Sequence, residues 1–308
     1  MGAIVAVLET ALPVFLALGL GMLCRKKEII TRDGVAALKT IVLNICLPFV
    51  LLEAFATAEY TYAAILLPLL MFGICCLALG LGYLAVRIFR IKGRLVKFLF
   101  SGFEAGILGY ALFALLFPDR SMSEFALPDI GQTLFVFTLF RILVSGQSDM
   151  KAIARDIATT PILWAVPAGV LIGATGLYGM MEQWGVASIL TASSSFMAAP
   201  TGMVILLTVG YDLVIREIPW KKIAGVIAIR LGIMVICYVV TVVLNRSVLG
   251  GIVSEEAMLL MLILPPPYAI PVFGDEPEER VQIASSLSAL TLVTIILFAV
   301  LSIVFGVQ

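Results

Sequence analysis

Histidine is absent from the 308 residues of this chain. Its absence excludes imidazole metal ligands, histidine proton relays and the nucleophile and base pairs of the common hydrolases. The apolar segments contain no pair of aspartates that could replace these groups. We therefore predict no catalytic set and no metal site, and an enzyme is not expected.

Charge is also scarce, since Asp, Glu, Lys and Arg make up 13% of the residues. Lys and Arg together number 20, as do Asp and Glu, so there is no basic surplus for binding nucleic acid. The five cysteines lie in or beside apolar runs, with neither a disulfide framework nor a zinc-binding spacing. They are Cys24, Cys46, Cys75, Cys76 and Cys237.

Apolar residues are abundant instead, at 62% of the chain, and the mean hydropathy is +1.14. They recur in blocks long enough to cross a bilayer, which predicts a multi-pass protein of about ten spans. The first block lacks a basic n-region and is expected to be a retained span. The predicted spans lie near 4–24, 34–56, 62–87, 95–117, 126–147, 160–178, 185–210, 222–245, 255–274 and 281–305.

Positive charges between the spans predict the orientation of the chain. They cluster after spans one, three, five and seven, whereas the loops after spans two, four, six and eight contain only Arg120 and Arg246 as positive charges. By the positive-inside rule both termini face outside, and we expect a location in the inner (plasma) membrane. Lys39, close to the cytoplasmic end of span two, is interpreted as a snorkelling anchor.

Internal echoes divide the ten spans into halves, residues 1–150 and 151–308. The runs "ALPVFLALGLG" and "AVPAGVLIGATG" lie in the first span of each half, and Pro48 in span two corresponds to Pro200 in span seven. The fourth span of each half carries a helix breaker, "GFEAGILGY" in one and "LPPPYAIPVFG" in the other. An odd number of spans in each half predicts that the second half is inverted.

The three consecutive prolines Pro265, Pro266 and Pro267 cannot be helical throughout. Each removes a backbone donor and clashes with the preceding turn, at about 3 kcal/mol or more. In a bilayer such irregular backbone persists only where protein or a water-filled cavity supplies partners. We predict an unwound binding site in which Tyr268 and the span-four glycines Gly102 and Gly106 take part.

Two charged residues lie deep in predicted spans. Glu104 is roughly 15 Å into span four, near mid-bilayer. It could exchange a proton, hold sodium, pair with a cationic solute or remain protonated as a hydrogen-bond donor. Arg230 in span eight could bind a substrate carboxylate, pin helices, or form a structural pair with Glu104.

Neutral polar residues accompany the two matching prolines. Ser194 and Thr201 flank Pro200, and Asn44 stands one turn before Pro48. These side chains could complete a polar pocket or serve as interhelical hydrogen bonds.

The run "LPVFLALGLGMLCRKKEIITRDGVAALKTIVLNICLPFVLLEAF" resembles the start of auxin efflux carrier family permeases, the bacterial relatives of plant PIN proteins. "TTPILWAVPAGVLIG", "APTGMVILLTVGYDL" and the proline-rich ninth span extend this resemblance along the whole chain. It implies an all-α fold of ten helices in a 5+5 inverted repeat, similar to bile acid sodium symporters, with broken helices four and nine crossing. A scaffold domain from helices 1, 2, 6 and 7 and a transport domain from helices 3–5 and 8–10 are implied as well.

The resemblance also implies a secondary transporter of small organic anions such as auxin, malate or malonate. The chain departs from the family in carrying Glu104 where members usually have Asn, which leaves a cationic or zwitterionic solute open. A membrane sensor that has lost transport is a further alternative. No cofactor is expected; proton or sodium coupling and uncoupled transport all remain open. The expected partners are the solute, the lipid bilayer and, through glycine-rich spans one and six, a second protomer.

Overall fold

The computed structural model describes residues 2–58, 60, 62–145, 159–213, 215, 218–273 and 276–305. Every regular element in these residues is helical and none is a strand, which confirms the predicted all-helical class. The α-helices are α1 (Gly2–Lys26), α2 (Arg32–Ile41), α3 (Leu47–Ala56), α4 (Tyr62–Ile88), α5 (Tyr110–Leu116), α6 (Ser123–Phe135), α7 (Arg141–Ser145), α8 (Ile162–Ala174), α9 (Leu177–Gln183), α10 (Ala187–Ala198), α11 (Thr201–Asp212), α12 (Trp220–Ser247), α13 (Glu255–Ile263) and α14 (Pro277–Phe305).

Seven stretches of the described residues are long and apolar enough to cross a membrane. They are Arg32–Ala56, Leu66–Ile88, Val96–Leu116, Ser123–Ser145, Ala187–Asp212, Trp220–Ser247 and Pro277–Phe305. The protein is therefore a multi-pass membrane protein, and the count of ten spans stays a prediction.

Two ends of the helical bundle can be told apart by charge. At one end α1 finishes with Arg25 and Lys26, and α2 starts with Arg32; we call this the basic end. Arg94 is bound there, donating 2.9 Å to the Val144 carbonyl oxygen and also to that of Phe273.

At the opposite end Arg120 donates to the carboxylates of Glu124 and Glu256, at 3.3 and 3.2 Å. This contact joins the loop before α6 to the start of α13. At each end of the bundle, one arginine therefore connects segments that are distant in sequence.

Proline and wide turns shape the second span. Pro48 has no N–H, and the chain widens ahead of it into a π turn, Val42–Cys46, whose end is marked by the Leu47 N–H bonding to the Val42 carbonyl. Similar π turns, Ala105–Gly109 and Val136–Phe140, occur in the fourth and fifth spans.

The sixth span differs from the prediction of one helix over 160–178. α8 ends at Ala174, and the chain bends by 65° before α9. Gly176, with φ of 74°, adopts the left-handed conformation that commonly ends a helix. The run "GATG" therefore ends α8.

Glycines bring certain helices into close contact within the chain. α1 packs extensively on α11, and a side chain at Gly21 would collide with the Leu207 carbonyl. α3 packs on α8, where a side chain at Gly169 would collide with the Leu52 carbonyl. Since spans one and six use these glycines internally, they give no argument for a dimer, which stays a prediction.

Candidate functional site

The fourth span is interrupted in its middle. A short 3-10 turn, Val96–Phe100, is followed by four non-helical residues, 101–104, before the helix resumes at Ala105. Gly102 has φ of +69°, a conformation that costs an L-residue about 1–2 kcal/mol. A side-chain carbon at Gly102 would lie 3.1 Å from the Pro267 ring, so the interruption is shaped for glycine.

The ninth segment is interrupted as well. α13 ends at Ile263, residues 264–269 are not helical, and a short 3-10 turn, Ile270–Phe273, follows. Pro265, Pro266 and Pro267 are all buried there. The Ile263 carbonyl accepts a hydrogen bond of 2.5 Å from the Thr294 hydroxyl of α14, so protein supplies the partner that the prolines cannot.

The two interruptions are bonded to each other through Glu104. The Glu104 N–H donates to the Pro265 carbonyl oxygen at 2.8 Å, and the Tyr268 N–H donates to Glu104 Oε2 at 2.6 Å. The partly buried carboxylate thus joins residues 164 positions apart in the sequence.

Arg230 is the second residue that joins the interruptions. It is 3% exposed, and its guanidinium donates to the carbonyl oxygens of Leu99, Gly102 and Leu264 at 2.6, 3.2 and 2.8 Å. It forms no ion pair with Glu104, and it lines neither cavity described below. Of the predicted roles, the geometry favours pinning of the backbone.

A cavity of about 450 Å³ lies at the basic end. Arg25, Arg32 and Lys39 line it together with one acidic residue, Asp212, which forms an ion pair with Lys39. Lys39 therefore lies in the wall of a cavity, and its interpretation as a snorkelling anchor stays a prediction. Tyr268 also lines the cavity and so connects it to the interruption of the ninth segment.

A second cavity of about 490 Å³ lies nearer the opposite end. Its lining from α1 includes Pro13 and Ala17, whereas the basic-end cavity contacts α1 at Arg25. The twelve residues from Pro13 to Arg25 correspond to about 18 Å along the helix. The second cavity is mainly apolar, with Tyr110 and Thr201 among its polar residues.

The structure brings only some of the predicted polar residues to these cavities. Thr201 lines the second cavity, and its buried hydroxyl has no hydrogen-bond partner. Ser194 is fully buried and also lacks a partner, but it lines neither cavity.

Two other predicted residues, Gly106 and Asn44, line neither cavity. A side chain at Gly106 would meet Leu47 at 3.8 Å. Asn44 is exposed and apart from both cavities. It stands two residues from buried Val42 and from buried Cys46, about half a turn from each even in a π turn, which places it on the far side of the helix.

One buried acid was missed by the sequence reasoning. Asp129 of α6 is 7% exposed and accepts a hydrogen bond of 2.8 Å from the Tyr110 hydroxyl. Gln132, one turn later, donates 2.8 Å to the Phe103 carbonyl in the interruption of the fourth span. The signal was available, because "FALPDIGQTLF" places a charge inside an apolar run.

A protein-family model described as a membrane transport protein matches residues 6–156 of the chain. The match covers α1 to α7. No curated protein matches the chain.

Proposed function

The chain carries the membrane-transport domain of the auxin efflux carrier family over residues 6–156, and from this premise we propose that it moves a small organic anion across its membrane by alternating access. In this scheme the protein carries the solute and catalyses no chemical step. The proposal includes a 5+5 inverted repeat in which the fourth and ninth spans cross.

The observation that carries the proposal is the contact between two interrupted segments, with a cavity toward each end of the bundle. Interrupted membrane helices leave backbone groups free of helical bonding, and in transporters such groups form the solute site near mid-membrane. Glu104 and Tyr268 join the interruptions, and Tyr268 also lines the basic-end cavity. A solute entering that cavity would reach the junction directly.

The charge of the basic-end cavity supports an anionic solute. Three basic side chains and one acidic side chain line it, which leaves a surplus of two positive charges. Clefts lined by one sign of charge concentrate ions of the opposite sign. Lys39 is bound to Asp212, and a solute carboxylate would compete with that aspartate for the ammonium group.

The packing of the helices supports a division into moving parts. α1 packs on α11 and α3 on α8, which matches the proposed scaffold of spans 1, 2, 6 and 7. α4 packs on α6 and α12, which belong to the proposed transport domain. In this arrangement the basic end faces the cytoplasm, both termini face outside, and the protein lies in the plasma membrane.

A cationic or zwitterionic solute is the second candidate, and one feature of Glu104 favours it. Oε2 of this carboxylate accepts the Tyr268 N–H, while the side chain as a whole remains partly exposed. An ammonium group could pair with this carboxylate, which forms no ion pair with a Lys or Arg of the described residues.

Uptake into proteoliposomes of radiolabelled carboxylates, amino acids and amines separates the candidates. We expect carboxylate uptake, with the KM raised roughly tenfold by Lys39→Gln because a charge-assisted hydrogen bond is lost. Lys27→Gln is the matched control, since Lys27 is exposed at the same end and does not line the cavity.

Amine uptake that depends on Glu104 would replace the anion proposal with the second candidate. Saturable binding of a solute with no flux of any kind would instead indicate a membrane sensor.

A further inference from the structure

An open groove runs between α4 and α12. It has a volume of about 660 Å³, which is in the range of ligand sites in proteins. Residues between Leu81 and Ile91 form one wall, and residues of α12 between Lys222 and Ile236 form the other; we call it the α4–α12 groove. All of its lining residues are apolar except Lys222. The groove shares no lining residue with the two cavities described above.

The charged residue of the groove lies at the basic end of the bundle. Arg246, in the last turn of α12, lies with Arg120 at the opposite end, so Lys222 in the first turn is at the basic end. The fourteen residues from Lys222 to Ile236 correspond to about 21 Å along the helix. One leaflet of the hydrocarbon core is roughly 15 Å thick. The groove is therefore long enough to span one leaflet and to reach the headgroup region at Lys222.

Two glycines of α12 give the groove its depth. Gly225 and Gly232 both line it, and because they are seven residues apart they lie on one face of the helix. No atom of a neighbouring described segment lies within 4 Å of the position that a side-chain carbon would take at either glycine. At Gly21, by contrast, the backbone of α11 occupies that position. The two groove glycines therefore leave open space and do not bring helices together.

Large apolar side chains border this space. Ile88 and Phe89 are 62% and 64% exposed, and both line the groove. Exposed apolar surface gains free energy when an apolar neighbour covers it. In a membrane protein the acyl chains of lipids are available for this contact.

Positive charges without partners surround the end of the groove. Lys222 lines it, and Arg87 and Arg90 are sequence neighbours of its α4 wall. None of these three cations forms an ion pair among the described residues. Neither residues 62–103 nor residues 218–254 contain an acidic residue that could neutralise them. Basic pockets between membrane helices on the cytoplasmic side bind anionic lipid headgroups.

We propose that the α4–α12 groove binds one anionic phospholipid, with an acyl chain along Gly225 and Gly232 and the headgroup phosphate at Lys222. The Lys222 ammonium group donates a charge-assisted hydrogen bond to that phosphate. Binding does not rest on the proposed transport function. Only the assignment to the cytoplasmic leaflet, which carries the anionic lipids, rests on the proposed orientation.

The test is the thermal unfolding of the full-length protein in an uncharged detergent with added phosphatidylglycerol or phosphatidylcholine of identical acyl chains. We expect phosphatidylglycerol to raise the unfolding midpoint saturably and phosphatidylcholine to raise it less. Glycerol phosphate, which has the phosphate but no acyl chain, should have no effect.

Lys222→Gln tests the headgroup contact. It should raise the half-saturating fraction of phosphatidylglycerol roughly fivefold, the factor expected for one basic residue at an anionic membrane surface. Lys221→Gln is the matched control, because Lys221 is exposed at the same end of α12 and does not line the groove.

Gly225→Leu tests the apolar part of the groove. The new side chain would fill the groove without a collision, so the response to phosphatidylglycerol should be lost. Gly73→Leu is the control, because Gly73 is an exposed glycine of α4 with equally open surroundings and lies outside the groove. Both substitutions raise helix propensity to the same extent, so a difference in lipid response reports on the groove.

Equal stabilisation by the two phospholipids, or no stabilisation by either, contradicts the proposal. A response that Gly225→Leu and Gly73→Leu lose alike does so as well. If Gly225→Leu lowers the mass of the particle in light scattering but keeps the phosphatidylglycerol response, the groove belongs to a second protomer instead. Should Gly225→Leu fail to fold, Lys222→Gln and Lys221→Gln decide the question. Solute uptake is a separate measurement, and its absence would overturn the transport proposal while leaving this lipid site in place.

Discussion

Arg230 shows how one residue can stabilise backbone that proline and glycine have freed. Its guanidinium provides donors to three carbonyl oxygens, one before and one within the fourth-span interruption, and one in the ninth segment. A hydrogen bond to a charged group contributes about 1.5–3 kcal/mol, more than a bond between neutral groups. Arginine suits this position because its planar donors diverge, whereas lysine presents a compact charge.

We therefore expect Arg230→Met to destabilise the protein by roughly 3 kcal/mol or more, since the carbonyls lose their shared donor in a buried place. Arg230→Lys should recover part of the loss. Thermal unfolding in detergent checks both variants. If Arg230→Met unfolds at the same temperature as the parent while carboxylate binding disappears, Arg230 is a solute ligand and not a backbone pin.

Glu104 allows charge and hydrogen bonding to be separated by two substitutions. Glu104→Gln keeps a side-chain oxygen for the Tyr268 N–H, whereas Glu104→Ala leaves that donor unpaired, at a cost of about 1–3 kcal/mol. We expect the unfolding temperature to fall in Glu104→Ala and to stay near that of the parent in Glu104→Gln. Equal losses in both variants would indicate that the negative charge itself stabilises the junction.

For single residues, the sequence predicts which side chains lie at the interruptions better than it predicts their hydrogen-bond partners. The run "GFEAGILGY" predicts a break at Gly102 and Glu104, and the fourth span is interrupted there. The partners of Arg230 are backbone carbonyls of distant segments, which no residue pattern marks. The sequence does not predict that Lys39 lines a cavity, because that cavity forms only where α2 and α11 meet.

The interrupted fourth span is an element whose shape can be tested with a matched pair of glycines. Gly102→Ala should destabilise the protein by about 1–2 kcal/mol or more, because φ is +69° and the new carbon would approach the Pro267 ring to 3.1 Å. Gly106→Ala meets Leu47 at an ordinary 3.8 Å and should be tolerated. Thermal unfolding and solute uptake of the two variants provide the comparison. Equal tolerance of both would argue against a strained interruption.

Breaks caused by proline were easier to predict than breaks caused by wide turns. Three consecutive prolines exclude a helix on steric grounds alone, so the ninth interruption could be placed from the sequence. The π turn Val136–Phe140 contains no proline or glycine and leaves no such mark. The sequence does not predict the bend after α8, because Gly176 belongs to a glycine-spaced run that indicates close helix packing, although glycine also ends helices.

At the scale of the whole molecule, the described residues form a cavity toward each end of the bundle, and the proposed alternating access makes a prediction about both. In a background without the five native cysteines, Ser288→Cys would lie in the basic-end cavity and Ala198→Cys in the opposite one. We expect a transported solute to change their reaction rates with a membrane-impermeant thiol reagent in opposite directions. Lys27→Cys, exposed outside both cavities, should be unaffected. Rates that rise or fall together would contradict alternating access.

Because the Arg230 guanidinium donates to carbonyl oxygens at both interruptions, a change in the shape of one would break hydrogen bonds that hold it to the other. In the proposed transport cycle the junction would therefore move between the two faces of the membrane as one preformed unit. The same site would then select among solutes on both sides of the membrane. The rank order of affinities of competing solutes should therefore be the same from either side.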